Sequence, residues 1–357
     1  MNNSVTDSAR PRPASNGVDT TALLNTLIAG KDLSEKEAGE FLEGIMSGMV
    51  SPVQAGAILT ALRMKSESAP EVLGFIKTMR AKMLTVSAPD AIDIVGTGGD
   101  GSGTFNISTA SAFVARGAGV KVAKHGNRAA SSKCGSADVL EALGVKIELT
   151  PEQAQRVFEA TGIVFMFAPI YHASMKQVVA VRRELKVRTI FNVLGPFTNP
   201  AGTLRQLTGV PDYPTAVKLA GVAQRLGYTH MLLVTSADGM RRVSTSATTS
   251  AFDIRGTKVR KMTINPVKLG FKKAKKGALL GGGKEENAQI IRAILNGEKG
   301  ARRDIVVLNS ACALYAGDAV PSIKEGIRRA EESIDSGNAM RALNSLIKET
   351  QSFAPKN

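Results

Sequence analysis

The chain has 357 residues, 43% of them hydrophobic and 22% charged, enough to bury a sizeable core, and carries 46 Lys and Arg against 31 Asp and Glu for a formal charge of +15. Its two cysteines, Cys134 and Cys312, exclude a disulfide framework and a cysteine zinc site and fit a reducing cytosol. The opening MNNSVTDSARPRPASNG lacks an apolar signal core, and no run approaches the roughly 18 apolar residues of a membrane span, so a cytoplasmic protein with a flexible tail over 1–17 is expected.

Residues 18–84 read as a small helical domain with later helical segments joining it. Ser34 with Glu37, Ser51 with Gln54 and Ser68 with Glu71 each fit a capping box, and Pro52 suits a first helical position. Apolar residues recur at helical spacing between these starts, as in Phe41, Leu42, Ile45 and Met46, and are assigned to packing.

From Ala88 the pattern changes to short apolar strands alternating with helices, an α/β domain over 85–350 with a central, mostly parallel sheet flanked by helices and a tail over 351–357. Strands are predicted at 92–95, 120–123, 163–167, 207–210 and 231–234. The first runs into Gly96-Thr97-Gly98-Gly99-Asp100-Gly101-Ser102-Gly103, too glycine-dense for regular structure and able to turn consecutive N–H groups toward one anion. Asn106-Ile107-Ser108-Thr109 then caps a helix over 110–116, whose N-terminus offers free donors and a positive dipole end. The second strand leads to Lys124-His125-Gly126-Asn127-Arg128, then Ser131-Ser132-Lys133, with Gly135-Ser136 opening the helix 137–143. In a parallel sheet both loops open at the carboxyl ends of strands, which suits a ligand with two phosphate groups.

Helices are predicted over 151–160, 214–226, 284–295, 304–316, 322–336 and 339–349. Much of the excess charge gathers in the run from Arg255 to Lys276, which holds Phe271 alone among aromatics and reads as a solvated basic loop or an interaction patch.

The runs GTGGDGSGTFNIST, KHGNRAASSKCGSADVLEALGV and VRRELKVRTIFNVLGPFTNPAG, with the late EENA, resemble the anthranilate phosphoribosyltransferases of tryptophan biosynthesis over about residues 20 to 350. Gly96, Gly98 and Gly101 also satisfy G-x-G-x-x-G, but the helix starts late and the next strand ends at a basic residue. The resemblance implies a pentosyltransferase moving the 5-phosphoribosyl group of phosphoribosyl pyrophosphate (PRPP) to anthranilate, with Mg2+ as cofactor and a homodimeric state. It assigns Gly96, Gly99, Asp100, Thr104, Asn106, Ile107, Ser108, Thr109, Lys124, His125, Gly126, Asn127, Arg128, Ser131, Ser132 and Ser136 to PRPP, with Ser108 also a magnesium ligand. Gly96, Asn127, His172 and Arg182 fall to anthranilate, with Gly195 and Pro196 shaping the passage beside them. Catalysis would be electrostatic and positional, with no residue assigned as acid, base or nucleophile and Lys124 and Arg182 as the positioning candidates, since a guanidinium can grip the acceptor's carboxylate by two parallel hydrogen bonds.

One motif departs from the family. Where it has approximately D-G-L-D-E, with the last two carboxylates binding magnesium, this chain reads Asp238-Gly239-Met240-Arg241-Arg242. Three consequences are open: the arginines contact pyrophosphate directly, magnesium arrives with the substrate and is weakly held, or transfer is crippled. The rival readings are a basic relative that binds nucleic acid or another anion, and a pyrimidine nucleoside phosphorylase sharing the two-domain layout.

Overall fold

The computed structural model describes residues 18–97, 101–129, 133–275 and 277–354. Four helices come first: α1 (Thr20–Ile28), α2 (Glu35–Met46), α3 (Pro52–Lys65) and α4 (Ala69–Lys82). The Ser34, Ser51 and Ser68 capping boxes are formed at the starts of α2, α3 and α4, so the polar start signals set the helix boundaries as expected. There follow β1 (Ile92–Gly96), α5 (Ile107–Gly117), β2 (Val122–Gly126), α6 (Ser136–Ala142), α7 (Pro151–Thr161), β3 (Ile163–Phe167), α8 (Ala168–Tyr171), α9 (Lys176–Leu185), α10 (Phe191–Leu194), β4 (Arg205–Gly209), α11 (Tyr213–Arg225) and β5 (His230–Ser236). The chain closes with β6 (Thr249–Arg255), β7 (Lys258–Ile264), α12 (Lys284–Leu295), α13 (Ala301–Ala316), α14 (Ile323–Asp335) and α15 (Asn338–Gln351).

The strands form one sheet in the order β3-β2-β1-β4-β5-β6-β7, parallel from β3 to β5 and antiparallel across β5-β6 and β6-β7. The order reverses between β1 and β4, the place where an open α/β sheet leaves a crevice beyond the carboxyl ends of its strands. Gly96 and Gly209 pair at that end.

Period-2 alternation splits the strands between two cores. Leu232 and Val234 of β5 face the α/β core with α5 and α13, while Met231 and Leu233 face a second core. That second core also contains α1 to α4, α11 and Met175, Val178, Val181, Phe191 and Phe197 from the stretch between β3 and β4. Arg80 of α4 donates to the Phe197 carbonyl at 2.7 Å, and Leu84 and Val86 donate to the carbonyls of Tyr171 and Pro200, so the connection from the helical unit is tied to the α/β unit.

Three sequence expectations are corrected. The second strand begins two residues later than predicted and runs through Gly126, which puts Lys124 and His125 inside the sheet, both buried, rather than in a loop. The basic run is not simply a loop: Lys258–Ile264 is the edge strand β7. There Arg260 pairs with Asp253 at 2.9 Å, and Lys261 lies over the rings of Tyr213 and Phe252. A cationic edge also discourages pairing with other chains. Finally, α5 starts at Ile107, and Asn106 at its N-cap makes no capping hydrogen bond.

Candidate active site

The crevice at the switch point is where the two loops meet. Thr97 follows β1 and donates its N–H to the Gly209 carbonyl at 3.0 Å. Farther along the loop the Ser102 and Thr104 hydroxyls lie 3.2 Å apart, and Thr104 bridges to Leu280. Asn106 is braced from both sides: its amide donates to the Cys134 carbonyl at 3.2 Å and accepts from Asn287 at 3.0 Å, while Asn287 accepts from Gly282. The loop thus joins the second loop and α12. At the start of α5, Ser108 and Thr109 are buried, and the Ser108 hydroxyl has no partner among the described residues. A buried donor at a helix N-terminus, unmatched among the described residues, suits an anion.

At the end of β2, the Lys124 ammonium donates to the Ile94 carbonyl at 2.7 Å. Burial pushes Lys124 down to about 8 against the pull of Asp93, and Arg242 pushes it further. Asp93, fully buried, accepts from the Asn199 amide at 2.8 Å, and burial raises its carboxyl to about 6 despite Lys124. Asn199 also donates to the Ala123 carbonyl, so it ties β1 to β2. Burial, and then His172, hold His125 down to about 3, which makes it neutral at pH 7. The two imidazoles lie 5.1 Å apart, and His172 Nε2 is 3.1 Å from the Thr198 carbonyl oxygen.

The remaining expected ligands divide. Gly126 is closely overlain by the Ser136 hydroxyl, which donates to the Asn127 carbonyl at 3.3 Å, and Asn127 itself is exposed. Arg128 is engaged by Glu141 at 2.5 and 2.8 Å and by Asp138, with its guanidinium over the Phe167 ring, which makes it a brace of the second loop. Arg182 on α9 is half-buried over the ring of Phe191, and burial lowers its pKa. Gly99, Asp100, Ser131 and Ser132 lie outside the described residues.

The departing motif faces the crevice. Asp238 does not, because its carboxylate braces the turn after β5 by accepting from Ser236, Met240 and Ser244. The chain then crosses the ends of β1 and β4, and a side chain at Gly96 or Gly209 would overlap Arg241 or Arg242. Only glycine leaves the crossing room. Arg241 is buried and donates from Nη1 to the Thr97 hydroxyl at 3.0 Å; Arg242 is half-buried, lies against Gly96 and donates to the Arg241 carbonyl. Asn309 on α13 fixes the next residue by bonding both backbone groups of Val243. Sequence reasoning missed Asp93, Asn199 and Asn309; Asp93 is a lone polar residue in an apolar stretch, a contrast that was available as a signal, whereas Asn199 follows Thr198 and Asn309 precedes Ser310, so neither stands out from its neighbours.

The helical unit matches the glycosyl transferase family helical bundle domain over residues 21–83, and the remainder matches the family's a/b domain over 88–340. Anthranilate phosphoribosyltransferase of Dehalococcoides mccartyi strain 195 is 48% identical over 334 residues, 93% of this chain and 98% of the relative. The chain belongs to the anthranilate phosphoribosyltransferase family. The Acetivibrio thermocellus anthranilate phosphoribosyltransferase is 49% identical over 94% of this chain and 97% of its own length. Two solved anthranilate phosphoribosyltransferases share the fold. The Thermus thermophilus enzyme superimposes with a TM-score of 0.85 at 41% identity, covering 92% of this chain and 99% of that one. The Saccharomyces cerevisiae enzyme in complex with PRPP and Mg gives 0.86 at 28% identity, covering 94% and 98%.

The residues present do not fit a magnesium ion held by the protein at Arg241 and Arg242. Magnesium requires oxygen ligands, and two guanidinium groups supply none. Among the described residues, no group of three or more His, Cys, Asp or Glu side chains could hold a metal ion.

Proposed function

We propose that this protein transfers the 5-phosphoribosyl group of PRPP to the amine of anthranilate, releasing pyrophosphate, a step of tryptophan biosynthesis. The observation that carries the reading is that the loops following β1 and β2 are joined, through Asn106 and the Cys134 carbonyl, at the carboxyl end of the sheet beside the place where its order reverses. A relative's structure contains PRPP and Mg, and another contains 4-fluoroanthranilate, a close analogue of the acceptor.

The bond from ribose C1 to the pyrophosphate oxygen breaks through a transition state with oxocarbenium-ion character, and the amine nitrogen bonds to C1 from the opposite face. The leaving group gains negative charge as it departs. Lys124 supplies a fixed ammonium for it, Ser108 and Thr109 donate to phosphate oxygens, and the positive dipole end of α5 adds to their pull. Thr104 and Asn106 extend that donor set. The acceptor's carboxylate is gripped by Arg182, beside Asn127 and His172. A neutral His125 keeps positive charge away from the amine, which attacks as the free base and loses its proton late. Position and electrostatics therefore carry the rate, with no strong base required.

A homodimer belongs to the same proposal, and its support is the apolar surface of the helical unit, where Ile28, Val53 and Met64 are exposed. Cytoplasmic residence is likewise proposed; among the described residues, no helix is long and apolar enough to cross a membrane.

The test is to mix the protein with PRPP and anthranilate across a magnesium titration, following anthranilate fluorescence and separating the product. Loss of fluorescence with appearance of N-(5-phosphoribosyl)anthranilate and pyrophosphate is expected. Unchanged anthranilate at every magnesium concentration contradicts the proposal.

A further inference from the structure

We infer that Arg242 is a pyrophosphate-binding cation, held beside Gly96 at the end of β1 by the Arg241 carbonyl, that does the work a protein-held metal ion would do in the reaction proposed above, on which this inference rests. Arg242 is half-buried at the carboxyl end of β1, and its guanidinium lies where a side chain on Gly96 would otherwise stand. Gly96, where the phosphate loop begins, is therefore in contact with a planar cation whose N–H groups match the oxygen spacing of phosphate.

Arg241 has a different task. Its buried guanidinium reaches the Thr97 hydroxyl at 3.0 Å, while its carbonyl receives an Arg242 N–H. It is a positioning residue that fixes Thr97 and Arg242 relative to each other. Asn309 anchors the far side of the same segment through Val243.

Charge then explains why the arrangement favours an anion. Arg242 lowers the proton affinity of Lys124, so the two cations repel across the crevice. A polyanion bound by both converts that repulsion into attraction, and the Ser108 hydroxyl at the N-terminus of α5, buried and without a partner among the described residues, is a further donor for it. The cation is covalently part of the chain, so it cannot be removed by chelation. Pyrophosphate binding should accordingly survive the loss of divalent metal.

The experiment is calorimetric titration of inorganic pyrophosphate into the full chain, once in EDTA and once in excess Mg2+. The wild-type protein is expected to bind in EDTA, and Arg242→Met to lose about tenfold there, the value of roughly one charge-assisted hydrogen bond. Arg242→Lys, which keeps the charge without the planar fork, should bind between the wild type and Arg242→Met. The pair Arg241→Asp with Arg242→Glu should bind only when Mg2+ is present, a change in metal dependence that a merely structural role would not produce. Pyrophosphate uptake by the wild type only with Mg2+, or unchanged uptake by Arg242→Met in EDTA, overturns the inference. Protein that consumes anthranilate yet takes no pyrophosphate in EDTA refutes this inference alone. Uptake in EDTA without anthranilate consumption supports the cation site and refutes the proposed function instead.

Discussion

Asn309 closes on Val243 from both sides, accepting its N–H at 3.1 Å and donating to its carbonyl at 2.8 Å. One side chain on α13 thereby sets where the two preceding arginines stand over the ends of β1 and β4. Asn309→Leu leaves two buried backbone groups without partners, at about 1–3 kcal/mol each. Denaturant melts should show a loss of that order, and PRPP affinity should fall with it. Asn309→Asp keeps the acceptor and should cost less; equal losses in both variants would mean that size rather than hydrogen bonding governs the position.

Lys124 gives the crevice a pH signature. Below pH 8 it is charged in both folded and unfolded chains, so the full cost of its burial is present. Between about 8 and its ordinary 10.5 the unfolded chain binds the extra proton, so this group's contribution to stability rises with pH across that window. Asp93 acts lower down: from 3.8 to about 6 the folded carboxyl keeps a proton the unfolded one has lost, so its contribution falls as pH rises. Binding runs opposite to the stability trend of Lys124, because only the ammonium attracts phosphate. Pyrophosphate affinity should break downward above about pH 8, and Lys124→Arg should remove the break. A wild-type profile that stays level through pH 8 would place the charge elsewhere.

Arg182 stands over Phe191 with its charge partly desolvated. Arg182→Lys keeps the charge but loses the planar fork, so the KM for anthranilate should rise about tenfold while the KM for PRPP stays put. An equal rise in both would show that Arg182 acts on the loop as a whole. Steady-state kinetics with each substrate varied in turn distinguishes the two.

The helical unit rests on a buried charge. Glu71 of α4 is fully buried, accepts from the backbone N–H groups of Leu33 and Ser68, and pairs with Lys65 at 3.1 Å. Glu71→Ala removes one partner of a buried pair and should destabilise by about 3–5 kcal/mol in chemical denaturation. A change below about 1 kcal/mol would mean that water replaces the carboxylate.

Where local chemistry decides structure, the sequence was readable. Ser34, Ser51 and Ser68 announce helix starts because each cap lies within three residues of its partner, and β3 is legible because Ile163–Phe167 is a short apolar run after a glycine turn. The β6-β7 hairpin was hidden because the outer strand carries Lys258, Arg260 and Lys261, whose support comes from Asp253, Tyr213 and Phe252 across the sheet edge. The donor loops could be found from glycine and hydroxyl density. That Arg241 and Arg242 face Gly96 could not, since it depends on Gly209 and on Asn309, 67 residues beyond Arg242 in the chain.

The central claim is that the loops following β1 and β2 together hold one doubly phosphorylated sugar. Calorimetric titration of PRPP into the folded protein tests it most directly. Saturable heat with one PRPP per chain, weakened by Lys124→Met, is the expected result. No heat at any PRPP concentration, from protein that melts cooperatively, would contradict it.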